Sequence, residues 1–176
     1  MGYAWGMALA TYRLETPFGP IHVLESERGL ACMTLGEARS QATLDRWRRR
    51  HEPEASLRTR KADGPVADQL GEYFAGERTQ FSLALDLRGT PFQVKVWQGL
   101  VRIPYGSVQT YGELARGIGS PSSFRAVGGA NGANPLPIVI PCHRVVARTG
   151  LGGFSGPMAW KQSLLTLEGA CLNLSK

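Results

Sequence analysis

Ile138-Val139-Ile140-Pro141-Cys142-His143-Arg144-Val145-Val146 is the stretch on which the reading of this chain turns. Apolar residues flank Pro-Cys-His-Arg on both sides, which predicts a buried, strand-like run interrupted by a polar corner. A thiol held between two buried segments and beside an imidazole is where a reactive cysteine can be kept rigid. An ordinary cysteine has a pKa of about 8.5 and is only a few per cent thiolate at neutral pH, so it needs a base or positive surroundings to react fast. Neighbouring residues do not face each other on a helix. His143 is therefore expected to reach Cys142 through a water or an irregular turn. For an arbitrary Cys-His pair the simpler reading is a small buried cysteine and a satisfied core histidine, and Cys32 and Cys171, which have no activating neighbours, illustrate it.

Working back from this stretch, Thr110-Tyr111-Gly112-Glu113 forms an S/T-x-x-E capping box that starts a short helix stopping by Gly117. After Gly119-Ser120-Pro121, Ser122 or Ser123 can cap a further helix running to about Ala133. Two short helices joined by a tight Gly/Pro turn predict a helix-turn-helix whose second member is the recognition helix, although helical hairpins without DNA are common. Pro91 to Arg102 places Phe92, Val96, Leu100 and Ile103 on one stripe of a core-facing helix.

The first half reads differently. Thr11 to Leu35 alternates short β-prone runs with turns at Pro17-Phe18-Gly19-Pro20 and Glu27-Arg28-Gly29, which predicts a β-meander. Ala38 to His51 reads as a helix ending before Pro53, its arginines Arg46, Arg48, Arg49 and Arg50 forming a solvated face balanced by nearby acids. Pro65 to Phe74 predicts a second helix closed near Gly76, and Phe81, Leu83 and Leu85 alternate like a strand. The join falls at Asp86 to Thr90, giving an N-terminal domain over 1–87 and a C-terminal domain over 88–176.

The chain has 176 residues, 43% of them hydrophobic, with a net charge of +6. That composition supports a buried core and argues against wholesale disorder. No run of 18 apolar residues exists, so a bilayer span is excluded. The mildly apolar Tyr3 to Ala10 lacks the basic flank and cleavage site of a secretory signal, and Gly6 stands where myristoylation wants Ser or Thr. A cytoplasmic protein is expected. Three cysteines and three histidines without C-x-x-C or H-x-x-x-H spacing argue against both a disulfide scaffold and a metal site. Up to Leu85 the charges cancel, whereas from Asp86 onward nine bases face three acids. The whole net charge thus lies in the second half, which suggests a surface facing an anion, with a solvated basic face as the plainer alternative.

Taken together, Pro104-Tyr105-Gly106, Tyr111-Gly112-Glu113-Leu114-Ala115, Arg125-Ala126-Val127-Gly128-Gly129-Ala130, Asn134-Pro135-Leu136-Pro137-Ile138, Pro141-Cys142-His143-Arg144-Val145-Val146, Gly153-Phe154-Ser155-Gly156 and Leu164-Leu165-Thr166-Leu167-Glu168 closely resemble the O6-alkylguanine-DNA alkyltransferases, in order and spacing, over nearly all of Pro91 to Gly169. The first half resembles the family only in general shape. The resemblance implies an α+β fold: a small N-terminal α/β domain with a ribonuclease-H-like sheet, and a mainly helical C-terminal winged helix-turn-helix domain carrying the reactive cysteine. It also implies that an alkylated guanine is flipped out of double-stranded DNA and that Cys142 displaces guanine from the alkyl carbon, with O4-alkylthymine as a second candidate substrate. His143 would be the water-mediated base and Glu168 the carboxylate that orients it. Tyr111 would give the leaving guanine a proton or hydrogen bond. Arg125 would fill the space the base leaves, offsetting part of a flipping cost of a few kcal/mol. Ala126, Gly128 and Gly129 would let the recognition helix approach the phosphates, with Ser122 and Ser123 at its start. Asn134 would tie the hinge before the active-site loop, and Phe154 and Ser155 would wall the pocket.

The thioether product has no route to hydrolysis here, so the resemblance implies one reaction per molecule, without cofactor or metal, by a monomer that can assemble cooperatively on DNA. Phe154 and Pro157 stand where many relatives have Tyr and Gly, which bears on the width of the pocket wall, and Phe124 is larger than the usual residue beside the Arg125 position. Three rivals remain at this point. A lesion-binding protein that transfers nothing would lack Cys142, a plain helix-turn-helix regulator would not need Cys142, His143, Glu168 and Tyr111 together, and a cysteine hydrolase would turn over esters or amides.

Overall fold

The computed structural model describes residues 8–170. Cys171, Lys176 and the N-terminal stretch before Ala8 lie outside these described residues.

The meander forms as its turn signals dictate. Strands β1 (Ala8–Thr16), β2 (Gly19–Ser26) and β3 (Gly29–Leu35) pair antiparallel in succession, with a register shift at Leu24/Glu25. Helix α1 (Ser40–His51) follows, and its Leu44 and Trp47 pack with Leu9, Leu24, Ala31, Cys32 and Ala55 in a satellite core on one side of the sheet. Strand β4 (Ser56–Thr59), absent from the sequence reading, pairs parallel with β1 and gives the order β3-β2-β1-β4. Its four side chains are all exposed, so it carries none of the apolar alternation by which a half-buried strand is recognised. Helix α2 (Pro65–Phe74) opens with Pro at its first turn and buries Val66, Leu70 and Tyr73.

The expected strand over Phe81 to Leu85 is not formed. Only Leu85 makes a bridge, parallel to Leu30, while Phe81, Leu83 and Leu85 are half-buried against the main core. Alternation there reflects side-chain anchoring of an extended connection, not ladder pairing.

Helix α3 (Pro91–Val101) is capped by Thr90 and Gln93 in a reciprocal box, and buries Val96 and Leu100 with Ile103 just beyond its end. A two-residue strand β5 (Gln109–Thr110) leads into α4 (Tyr111–Gly117), where the predicted Thr110–Glu113 box is present. Helix α5 (Phe124–Gly132) follows the Gly/Pro turn and completes the helix-turn-helix. Ser123 occupies its N-cap position but makes no capping bond through its side chain, and Ser122 precedes it, so neither serine caps the helix as expected. Trp97 Nε1 donates to Ala130 O at 2.9 Å, fastening α5 to α3. At Gly99 on α3 a Cβ would lie 2.7 Å from Ile118 and 2.9 Å from Leu114, so α3 and α4 approach this closely only because the side chain is missing.

Ile138 to Ile140 is not strand-like either. Ile138 has φ +78°, a left-handed conformation that a β-branched residue adopts only under constraint, and Ile140 N bonds back to Leu136 O in a tight turn. A single 3-10 turn, Cys142–Arg144, then leads to β6 (Val145–Val146), which pairs parallel with β5 as a small wing. Helix α6 (Met158–Leu167) closes the described fold. The main core runs through both halves, from Tyr12, Ile21 and Leu70 to Leu100, Ile140 and Cys142.

Candidate active site

Cys142 and His143 sit on the 3-10 turn, both with 0% exposure. The two therefore share an irregular turn, but no hydrogen bond joins the ring to the thiol. Glu168, at the C-terminal end of α6, places Oε1 2.8 Å from His143 Nε2. Arg144 grips the same carboxylate with two bonds, Nε to Oε2 and Nη2 to Oε1, each at 2.9 Å, and gives Nη1 to Ile103 O at 2.7 Å. Gly106 N donates to Oε2 at 3.2 Å. Gly106 has φ +74°, and a Cβ there would stand 2.9 Å from Glu168 O, so glycine alone brings this amide to the carboxylate without strain.

These contacts decide the charges. Burial would raise the pKa of Glu168, but the hydrogen bonds from His143 and Arg144 outweigh it and hold the carboxyl at about 2. An ionised carboxylate only accepts, so His143 Nε2 carries the ring proton and Nδ1 keeps its lone pair. Burial pushes the His143 pKa down against the raising influence of Glu168, leaving a neutral imidazole. Nδ1 is buried without a hydrogen-bond partner among the described residues. Burial also pushes the Cys142 thiol up, against the hydrogen bonds of Ser155 and Asn134 and the charge of Lys161. The resting group is thus a thiol beside a neutral base whose free nitrogen can take its proton.

The pocket wall comes from the segment between β6 and α6. Ser155 Oγ lies 3.3 Å from Cys142 Sγ. Tyr111, at the first turn of α4, is bridged to that segment: Gly153 N donates to its hydroxyl at 3.1 Å, and the hydroxyl donates to Gly153 O at 3.3 Å. Burial raises the Tyr111 pKa, which keeps it a donor. Phe154 is half-buried and packs on the main core. Cys142 is wholly covered, whereas Ser155 beside it is exposed. A larger open groove of about 1460 Å3 shares Tyr111 with the site and continues past Glu113, Arg116, Phe124 and Arg148, but is lined by neither Cys142 nor Ser155.

Asn134 is buried behind the turn. Its Nδ2 donates to Ile140 O at 2.7 Å and its Oδ1 accepts from Leu136 N at 3.0 Å, which clamps both ends of the left-handed corner at Ile138. From the other half, Met33 N bonds Pro135 O at 2.8 Å. Arg125, Ala126 and Gly129 are exposed along α5, with Gly128 half-buried, Ser122 exposed and Ser123 half-buried at its start. None of them hydrogen-bonds Cys142, and Gly128 faces Tyr111, where a Cβ would stand 3.8 Å from the ring. The Arg125 guanidinium stands 5.7 Å from the Phe124 ring, which is itself 50% exposed.

Three residues of the site were missed in the sequence. Arg144 is part of the Pro-Cys-His-Arg corner and is counted among the nine bases of the second half, with no role in the site assigned to it. Lys161 was counted likewise, yet it is fully buried and uses all three N–H donors on Val145 O, Leu151 O and Gly153 O at 2.6, 2.5 and 2.9 Å. Burial lowers its pKa to about 8. Tyr73, on the helix predicted over Pro65 to Phe74, donates its hydroxyl to Glu168 Oε1 at 2.7 Å. The available signal for the first two was a surplus of bases beside a thiol that needs positive surroundings.

The charge reading is corrected accordingly. Of the nine bases from Asp86 onward, Arg144 and Lys161 are buried and Arg88 is paired with Asp86 and Glu52. Exposed among the described residues are Lys95, Arg102, Arg116, Arg125 and Arg148. No helix among the described residues is long and apolar enough to cross a membrane, and among them no cluster of three or more His, Cys, Asp or Glu could hold a metal ion.

A helix-turn-helix backed by a buried thiol, imidazole and carboxylate defines a class: a DNA-binding protein that carries its own nucleophile. Residues 8–87 match the ribonuclease-like domain, and residues 91–170 the DNA binding domain, of 6-O-methylguanine DNA methyltransferase, and the chain belongs to that family. It is 41% identical over 156 residues to a methylated-DNA–protein-cysteine methyltransferase of Mycobacterium bovis, covering 88% of this chain and 89% of that protein. It is 43% identical over 160 residues to the constitutive methylated-DNA–protein-cysteine methyltransferase of Bacillus subtilis, covering 88% and 92%. The crystal structure of Mycobacterium tuberculosis OGT in complex with DNA superposes with a TM-score of 0.78 at 39% identity, covering 94% of this chain and 97% of that one.

Proposed function

We propose that this protein repairs DNA by direct reversal, flipping O6-alkylguanine out of the duplex and transferring its alkyl group irreversibly to Cys142. The observation that carries the reading is Cys142 on the same 3-10 turn as His143, whose Nε2 is fixed on Glu168 at 2.8 Å behind the helix-turn-helix. The thiol proton passes to His143 Nδ1 through one water. The sulfur lone pair forms the S–C bond as the C–O6 bond breaks, and the pair from that bond leaves with guanine, which takes a proton or hydrogen bond from Tyr111. Glu168 offsets the charge that forms on the imidazole. Arg125 enters the stack, the small residues Ala126, Gly128 and Gly129 let α5 approach the backbone, and Ser122 and Ser123 meet phosphates near its start. Asn134 keeps the thiol at its station, and Phe154 and Ser155 bound the alkyl pocket. Guanine is released and a thioether remains, so each molecule acts once. The division between the supporting and the alkyl-accepting domain is placed at 87/88, and the site of action is the cytoplasm, on DNA.

The test is incubation with a duplex carrying O6-methylguanine and peptide mass spectrometry. A single methyl on the Cys142 peptide, absent in Cys142→Ser, is expected. Label elsewhere, or label that survives Cys142→Ser, would overturn the reading.

A further inference from the structure

Glu168 accepts five hydrogen bonds, and four of them, from Gly106, His143 and the two nitrogens of Arg144, come from the half that carries the thiol. The fifth comes from Tyr73 on α2, in the half with the sheet. Its ring is fully buried among Phe74, Phe81 and Tyr105, which phenylalanine would fill as well. The hydroxyl is the part that ring packing does not explain. Its partner is the same oxygen that holds His143.

We infer that Tyr73 is a positioning residue for alkyl transfer, its hydroxyl holding Glu168 in register from the N-terminal half and limiting how strongly the carboxylate draws His143 toward imidazolium. The inference rests on His143 being the base in the function proposed above. Oε1 accepts from Tyr73, His143 and Arg144 at 2.7, 2.8 and 2.9 Å. Donors on one anionic oxygen share its charge, so removing one strengthens the pull on the others. Burial, then the charge of Glu168, raises the Tyr73 pKa, so the hydroxyl always donates. The other titratable groups facing the relay are Arg144, Tyr105, Lys161 and Cys142, all from the second half, and Tyr105 gives its hydroxyl to Leu167 O. Tyr73 is thus the one contact through which the sheet half sets the basicity of His143 among the described residues.

The test is Tyr73→Phe, read by the pH dependence of methyl transfer from the O6-methylguanine duplex. The rate falls on the acid side as His143 takes up a proton. Without the hydroxyl, that acid limb should move up by about one pH unit, the scale set by one charge-assisted hydrogen bond shared among several. The rate below the limb then drops about tenfold, while the high-pH plateau stays within about threefold of wild type. The His143 ring titration, followed by NMR in unreacted protein, should move the same way, and in a Glu168→Gln background the shift should vanish. A rate lowered equally at every pH, an unmoved His143 titration, or a shift that persists in Glu168→Gln would overturn the inference. If wild type itself leaves Cys142 unmethylated, it is the proposed function that fails; if wild type reacts and the limb of Tyr73→Phe stays in place, this inference alone fails.

Discussion

Arg144→Met should cost about 3 kcal/mol of stability at neutral pH, and most of that cost should disappear in acid. Methionine keeps much of the apolar stem and removes the two bonds to Glu168 and the one to Ile103 O. In the wild type the Glu168 carboxyl is held at about 2 instead of the ordinary 4.5. A carboxylate whose folded pKa is depressed stabilises the fold above its unfolded pKa and loses that contribution as pH falls through the folded value. At 1.36 kcal/mol per unit this depression contributes about 3 kcal/mol at pH 7, less than half of which survives at pH 3. Without Arg144 the buried carboxylate keeps the hydrogen bond of His143 but loses those of the guanidinium, so its pKa rises and a large part of the contribution is lost. The same size, about 3–5 kcal/mol, is typical for removing one partner of a buried ion pair. Urea unfolding of wild type and Arg144→Met at pH 7 and pH 3 measures it, since carboxylates common to both proteins cancel in the difference. At pH 7 the melting temperature should fall by about 6–12 °C for a chain of this length. A difference below about 1 kcal/mol at pH 7, or one unchanged at pH 3, would refute the reasoning, because the first denies the ion pair its weight and the second denies that ionisation of Glu168 is its source.

Asn134→Ala leaves Ile140 O and Leu136 N buried without their side-chain partner, and should lower stability in urea by about 2–4 kcal/mol; a loss under about 1 kcal/mol would show that the corner at Ile138 holds by itself. Arg125→Ala should slow repair of duplex DNA far more than reaction with free O6-benzylguanine, which needs no flipping; equal losses would count against the finger role. Binding to undamaged duplex should weaken with salt at a slope of log K against log salt of about −4.5, about 0.9 for each of the five bases of the second half that are exposed among the described residues. A slope steeper than about −5.5 in filter binding would mean that bases of the first half also reach phosphate, since Lys176 is the one further base of the second half.

What could be read in the sequence is what short-range chemistry writes there. The Thr110–Glu113 box, the Gly/Pro turn after it and the Pro65 start of α2 are signals complete within a few residues, and these elements are present where they were expected. Elements whose existence depends on distant pairing were not legible. Strand β4 is held by β1 with its own side chains all exposed, and the alternation of Phe81, Leu83 and Leu85 has no neighbouring strand to pair with beyond the bridge at Leu85. Ile138 to Ile140 looks extended by propensity, but Asn134 bends it, and a side chain acting on a backbone several residues away overrides β preference.

The same division governs the site. Cys142 and His143 are adjacent in sequence and were found there, whereas Glu168 came from family resemblance alone, and Tyr73, Arg144 and Lys161 were missed because burial of a polar group is a property of the assembled core. Burying a thiol, an imidazole and a carboxylate together requires buried donors to hold them, since an unpaired charge in the interior is costly. In a half with nine bases and three acids, some of the bases must therefore be those donors. Arg144 is held by Glu168, and Lys161 by three carbonyls. Counting charge along the chain overstates the field facing DNA by these interior residues, and the overstatement grows with the number of polar groups the reactive centre keeps away from water.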